Sequence, residues 1–247
     1  MATESSISEN TLTTIQSENR TALFGTAAFW EQRWQEGKIG FHSPNVQTFL
    51  LKYVDLLTNG KTGLRIFVPL CGKTVDMKWL ADMGHHVIGV DICRMALKQF
   101  FEENNLEYTM STVKGLENGE LYQSSDGRIQ LYKCDIFDIS RDMVGQFDGI
   151  WDRGAMTSIL PTARARYCDI MVTVLKPTGR YLLVCVEYDK SKSSGPPVCL
   201  LESEIKDVYG SFLKIEKIAE RNRMEEKWLK RGHTYFKECV YLLTFRE

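Results

Sequence analysis

The residues best placed to do chemistry sit where apolar runs end. Phe67–Trp79 reads FVPLCGKTVDMKW and follows Leu64-Arg65-Ile66, as a buried strand would turn through a tight loop into a helix. The PLCGKT turn admits three kinds of ligand. A phosphate loop needs G-x-x-x-x-G-K-[ST], yet the position five before Gly72 is Phe67, inside the strand. A dinucleotide loop needs three glycines so that backbone amides and a helix N-terminus approach a pyrophosphate. Here Gly72 stands alone and Pro69 removes a donor amide. Both sites are poor.

S-adenosylmethionine has no pyrophosphate and asks less: one close backbone approach, space for a zwitterionic end and an acid for the ribose. Gly72 gives the approach. Asp91 closes VIGVD at the end of the next apolar run and can accept both ribose hydroxyls. Its alternative role is to cap the helix that starts near Arg94, and the two are compatible. CDIFD ends a later run and would offer Asp135 as acceptor and Ile136 as flat apolar wall to an adenine. WDRGA places Asp152 and Arg153 at the carboxyl end of another, where ligands of open α/β sheets bind; a plain loop ion pair is the alternative. Tyr188 and Lys192 match a Y-x-x-x-K dehydrogenase spacing, but SSGPP follows at once and predicts a loop, so the match is accidental.

The elements that must position these residues alternate. Strands are expected at Leu64–Val68, Val87–Val90, Arg128–Tyr132, Phe147–Trp151 and Tyr181–Val186. Helices are expected at about Val75–Met83, Met95–Asn104 and Arg164–Leu175, the last stopped by Lys176-Pro177-Thr178-Gly179. This rhythm predicts a parallel α/β sheet. A short helix at Ser203–Tyr209 and strands at Leu213–Ala219 and Glu238–Phe245 break it and predict an antiparallel end. That order is the outline of a Rossmann-like methyltransferase: mostly parallel, seven-stranded, with an antiparallel C-terminal strand and helices on both faces. Fold order alone fixes no chemistry. Phe29, Trp30 and Trp34 lie at helical spacing before this core, as a helix packed over it would place them.

Composition narrows the classes. A chain of 247 residues buries a sizeable single core, and a net charge of -1 with interspersed signs leaves no basic stripe for nucleic acid. No apolar run reaches a membrane span. Residues 1–24 are polar and Ser/Thr-rich, read as a flexible tail ahead of one domain over 25–247. Seven scattered cysteines without a C-x-x-C pair predict buried, reduced thiols of a cytosolic protein, and the adjacent His85 and His86 cannot chelate one metal from a strand, so no metal is expected.

Together, FWEQRW, GKIGFH, GLRIFVPLCGK, DMKWLADMGHHVIGVDI, CDIFD, FDGIWDRGA, SGPP and YLLTF make the chain resemble the thiopurine S-methyltransferase family from about Phe29 to Phe245. The resemblance implies a cytoplasmic, monomeric enzyme that uses S-adenosylmethionine to methylate sulfur on small aromatic and heterocyclic thiols. It assigns Trp30, Trp34 and Phe41 to a cover over the cofactor, and Leu70, Asp91, Asp135 and Ile136 to contacts with it. Arg153 falls between cofactor and acceptor, and Phe41 also on the acceptor side. Lys227, in MEEKWLK, stands where mammalian relatives carry an arginine lining the acceptor pocket, and a lysine is a point charge rather than a planar fork. Aryl thiols ionise readily, so a cation, Arg153 helped by Lys227, is expected in place of a strong base. Asp152 would orient Arg153 or relay a proton, with His42 a more remote base. The alternatives are a methyltransferase for halide, thiocyanate, hydrosulfide or selenium species, and a cofactor-binding protein without turnover.

Overall fold

The computed structural model describes residues 26–193 and 195–246; the tail expected over 1–24 lies outside them. Its centre is a sheet whose strands run in the order β3-β4-β5-β2-β1-β6-β7-β9-β8. These are β1 Arg65–Val68, β2 His86–Asp91, β3 Tyr108–Thr112, β4 Glu120–Ser124, β5 Ile129–Lys133, β6 Phe147–Arg153, β7 Leu175–Tyr188, β8 Leu213–Asn222 and β9 Phe236–Phe245. The middle five, β5-β2-β1-β6-β7, are parallel to one another. Strand β9 slots antiparallel between β7 and β8, as the last apolar runs predicted.

The central strands are apolar on successive residues because both faces are covered. Ile66, Val68, Trp151 and Val184 point into one core with Leu50, Leu57, Leu80 and Phe100. These belong to α2 (Thr48–Thr58), α3 (Asp76–Asp82) and α4 (Arg94–Glu103). Phe67, Ile150, Tyr181 and Leu183 point into the other, with Tyr167 and Met171 of α6 (Arg164–Val174) and Ile205 and Tyr209 of α7 (Glu202–Tyr209). Three further α-helices among the described residues are α1 (Ala27–Gln35), α5 (Arg141–Val144) and α8 (Glu226–Lys230).

The structure differs from the sequence expectation in three places. All seven expected strands are present, and β3 and β4 extend the sheet to nine among the described residues. In β4 the buried positions are Glu120, Tyr122 and Ser124 while Leu121 is half-buried, so the apolar alternation that marks a strand is masked. Helix α2 was not foreseen, although Leu50, Val54 and Leu57 keep its helical spacing and are buried. Strand β7 begins at Leu175, not Tyr181: Leu175 pairs with Phe147 and Arg180 with Gly149, so Lys176–Gly179 bulge out of register.

Candidate active site

The ends of β2, β1 and β6 meet where the order of connections reverses, on the side to which the carboxyl ends point. A cavity of about 450 Å³ opens there, bounded by the turns after β1, β2, β5 and β6, by α1 above, and by the start of β9 and α8 at its far end.

The turn after β1 is wound tightly. Leu70 has φ 44°, a left-handed conformation rare for a branched side chain, and Gly72 follows at 51°. The Cys71 amide donates to the Val90 carbonyl at 2.9 Å, and the Gly72 amide to Asp91 Oδ2 at 2.7 Å. Oδ1 of the same carboxylate accepts from the Cys93 amide at 2.8 Å. Asp91 thus binds the β1 turn to the β2 turn, and the cap of α4 is Cys93 rather than Asp91. Burial pushes its carboxyl up to about 6, with the Cys93 and Gly72 amides opposing that shift. Each carboxylate oxygen still offers a lone pair to the cavity.

The lysine of PLCGKT does not serve a phosphate. Lys73 Nζ reaches α4, at 2.6 Å from Glu103 and 3.0 Å from Gln99. With Pro69 lacking an amide hydrogen and the Cys71 and Gly72 amides spent, the turn lacks the donor cluster a pyrophosphate needs. It suits a cofactor held by an acid and by apolar contact. Asp135 caps a single 3-10 turn by accepting from the Phe137 amide at 2.9 Å, which sets Ile136 and Phe137 along the wall.

Helix α1 roofs the turn. It is capped by Thr26, whose Oγ1 accepts from the Phe29 amide. Trp34 is 6 % exposed, and its indole comes so close to Gly72 that a Cβ there would lie 3.1 Å from Cζ2. Phe41, in the strap after α1, stands edge-on to Trp30 at 5.7 Å and to Trp34 at 5.8 Å. Arg153, at the end of β6, donates from Nη1 to the Phe41 carbonyl at 2.6 Å. It has no carboxylate partner among the described residues, so its charge is left for whatever enters the cavity. His42 lines the same wall, and burial, reinforced by the Lys73 charge, holds its imidazole below its ordinary range and so neutral.

Two expected site residues sit otherwise. Asp152 does not touch Arg153: successive strand residues face opposite ways, and Asp152 is fully buried on the α6 side. Its Oδ2 accepts from the Tyr167 and Tyr181 hydroxyls, both at 2.7 Å, and Oδ1 from the Met156 amide at 3.1 Å. The proton-relay role is therefore withdrawn, since Asp152 holds the turn after β6. Lys227, on α8, does line the cavity, but its side chain is 54 % exposed and paired with Glu225 at 2.6 Å. Trp30, Trp34, Phe41, Leu70, Gly72, Asp91, Asp135, Ile136 and Arg153 all border the one cavity. Sequence reasoning missed Asp76, Trp151 and Glu238. The Trp151 Nε1 donates to buried Asp76 at 2.9 Å, and the one signal for Glu238 was a lone acid opening the apolar run ECVYLLTF.

The family model described as thiopurine S-methyltransferase matches residues 25–246. The chain belongs to the thiopurine S-methyltransferase family. Among relatives of this thiopurine S-methyltransferase family member, the thiopurine S-methyltransferase of Canis lupus familiaris is 42 % identical over 215 residues, 87 % of this chain and 88 % of that one. The probable thiopurine S-methyltransferase of Danio rerio is 43 % identical over 215 residues, 87 % of this chain and 93 % of its own. Solved structures agree on the fold. The 1,6-didemethyltoxoflavin-N1-methyltransferase of Burkholderia thailandensis, with S-adenosylhomocysteine bound, superposes with a TM-score of 0.54 at 13 % identity, over 98 % of this chain and 93 % of that one. The N-methyltransferase NodS of Bradyrhizobium japonicum WM9, also with S-adenosylhomocysteine, gives 0.56 at 14 % identity over 80 % and 85 %. The family member therefore has the Rossmann-like α/β fold of the S-adenosylmethionine-dependent methyltransferases.

Proposed function

We propose that the protein transfers a methyl group from S-adenosylmethionine to the sulfur of small aromatic or heterocyclic thiols. The observation that carries this reading is Arg153: a cation at the mouth of β6, without a carboxylate partner among the described residues and facing the same cavity as Asp91. Such a charge stabilises a thiolate and holds it where an in-line attack can occur.

The cofactor, when bound, supplies a methyl group already activated on a sulfonium. The protein's residues then have three tasks. Asp91 would accept the ribose hydroxyls while Ile136 and Phe137 would flank a flat ring. Trp30, Trp34 and Phe41 exclude water from above, which strengthens the pull of Arg153 on an anion below. Arg153 favours the ionised acceptor, so a strong base is not required for a thiophenol. Arg153 also ties the strap to the sheet through the Phe41 carbonyl, so one side chain serves both roof and acceptor.

No described helix is long and apolar enough to cross a membrane. A cytoplasmic, monomeric protein that acts on small molecules fits this reading. Titration calorimetry with S-adenosylhomocysteine, followed by a methylation assay on thiophenol, tests it. Binding with turnover is expected. Binding without turnover leaves the fold and overturns the thiol reading, and absence of binding overturns the cofactor site.

A further inference from the structure

Two consecutive prolines, Pro196 and Pro197, border the cavity together with Val186, Trp228 and Phe236. Neither has an amide hydrogen, so no N–H can tie the pair to the rest of the protein. The amides on either side are engaged elsewhere, Gly195 on Ser193 Oγ at 3.3 Å and Val198 on the Thr157 carbonyl at 2.7 Å. The proline carbonyls are left to hold this piece of wall. Among the described residues the pair has one hydrogen-bonded tether, the Tyr188 hydroxyl, which donates to the Pro197 carbonyl at 2.7 Å.

Tyr188 is itself firmly placed. It is the last residue of β7 and is buried. Its ring stacks on Phe236 at 5.3 Å and Phe236 stacks on Trp228 at 4.0 Å, while His233 stands edge-on to Tyr188 at 5.0 Å. Its hydroxyl also accepts from the Cys199 amide at 3.0 Å. The chain returning from the prolines is fastened to β7 by other bonds as well. The Tyr188 amide donates to Cys199 Sγ at 3.4 Å, the Leu200 amide to the Val186 carbonyl at 2.9 Å, and Arg164 Nη2 to the Cys199 carbonyl at 2.9 Å. What the hydroxyl adds to these is its hold on Pro197. Burial raises that hydroxyl above its ordinary range, so it stays a donor.

We propose that Tyr188 is a positioning residue: its hydroxyl latches the Pro196–Pro197 wall in place, and through that wall it sets how tightly the methyl acceptor is held. This rests on the thiol-methylation reading. Tyr188 exchanges no proton and touches neither the sulfur nor the cofactor. The wall meets the body of the acceptor rather than its reacting atom, so its hold counts equally before and during transfer and belongs in KM rather than in kcat. The tyrosine of the Y-x-x-x-K match thus has a task that is unrelated to a dehydrogenase.

Tyr188→Phe keeps the stacked ring and removes one oxygen. The KM for thiophenol is expected to rise about fivefold, the worth of one hydrogen bond, while kcat and the calorimetric Kd of S-adenosylhomocysteine each move by less than about twofold. An unchanged KM overturns the proposal, and so does a loss confined to kcat. A cofactor Kd that weakens in step with KM overturns it too, because general loosening of the fold produces that pattern. If the variant does not fold, the wild type decides. The prolines have no amide to exchange, so the Cys199 amide, which rests on the Tyr188 hydroxyl, reports on the wall. With S-adenosylhomocysteine already bound, thiophenol is expected to slow exchange at Cys199, and unchanged exchange in the thiophenol complex overturns the latch. Thiophenol that binds and slows Cys199 exchange yet is never methylated is a different result, which removes the proposed function and leaves the latch. Thiophenol that neither binds nor reacts removes both.

Discussion

Asp91 has two tasks that compete for one carboxylate. It accepts the Gly72 and Cys93 amides, and it faces the cavity while buried enough to be pushed up to about 6. In the empty protein, raising the pH through 6 therefore ionises an acid that burial disfavours. The associated stability is fully present below the carboxyl's ordinary range and fades as pH rises through 6. With Asp91 on the ribose as proposed, cofactor binding would have the opposite preference, because hydroxyl donors need the ionised acceptor. Affinity for S-adenosylhomocysteine should thus rise between pH 5 and 7, and at pH 6 binding should release protons, measured by calorimetry in buffers of different ionisation enthalpy. Asp91→Ala should weaken the Kd by roughly 10- to 100-fold through loss of charged hydrogen bonds; near-normal affinity would remove it from the ribose site. Arg153→Ala should lower kcat/KM for thiophenol about 100-fold while moving the cofactor Kd less. A collapse of cofactor affinity instead would place its main action on the donor side.

At the scale of elements, the roof is the part whose order should depend on the cofactor. Helix α1 is nine residues long, too short to hold itself in water, so its stability comes from Trp34 on the β1 turn and from the strap tied by Arg153. Amide exchange over Ala28–Gly40 is expected to slow when S-adenosylhomocysteine binds, and an unchanged pattern would show the roof closed beforehand. Gly72→Ala attacks the same joint from below. A methyl group there meets the indole at 3.1 Å on a backbone at φ 51°. The turn is strained by about 1 kcal/mol or more and the roof is displaced, so cofactor affinity should fall with exchange in α1 accelerated.

Across the whole molecule, the central sheet and its ligand end were legible because buried parallel strands carry their signal in continuous apolar runs. VIGVD and FDGIWDR each end on a charged residue where the strand stops. Every expected site residue except Asp152 borders one cavity, those at the strand ends for that reason. What escaped depended on partners distant in sequence. Asp152 was placed beside the reaction by its neighbour Arg153, yet the pleat sends the two to opposite faces. There the Tyr167 and Tyr181 hydroxyls enclose it, and Tyr209 extends the cluster at 3.1 Å from the Tyr181 hydroxyl. Glu238 and Asp76 needed Arg221, Gln47 and Trp151 to reveal them. The β3–β4 pair hides because its buried side is polar. The Asp152 cluster joins β6, β7, α6 and α7, so its worth is global. Tyr181→Phe should cost about 1.5–3 kcal/mol, the value of a hydrogen bond to a charged group. For a domain of this size that lowers Tm by roughly 3–12 °C, read by calorimetric melting; an unshifted Tm would show the cluster to be dispensable.

The contact between Trp34 and Gly72 also gives the protein an optical gauge. If α1 lifts, the Trp34 indole passes from a nearly dry site into water, and half-buried Trp30 moves with it, whereas Trp79, Trp151 and Trp228 stand on other elements. Emission from the raised roof is shifted to the red and that from the lowered roof to the blue. Mixing protein and cofactor in a stopped-flow cell therefore records, without any label, how fast the chamber shuts and whether it opens again once in every catalytic cycle.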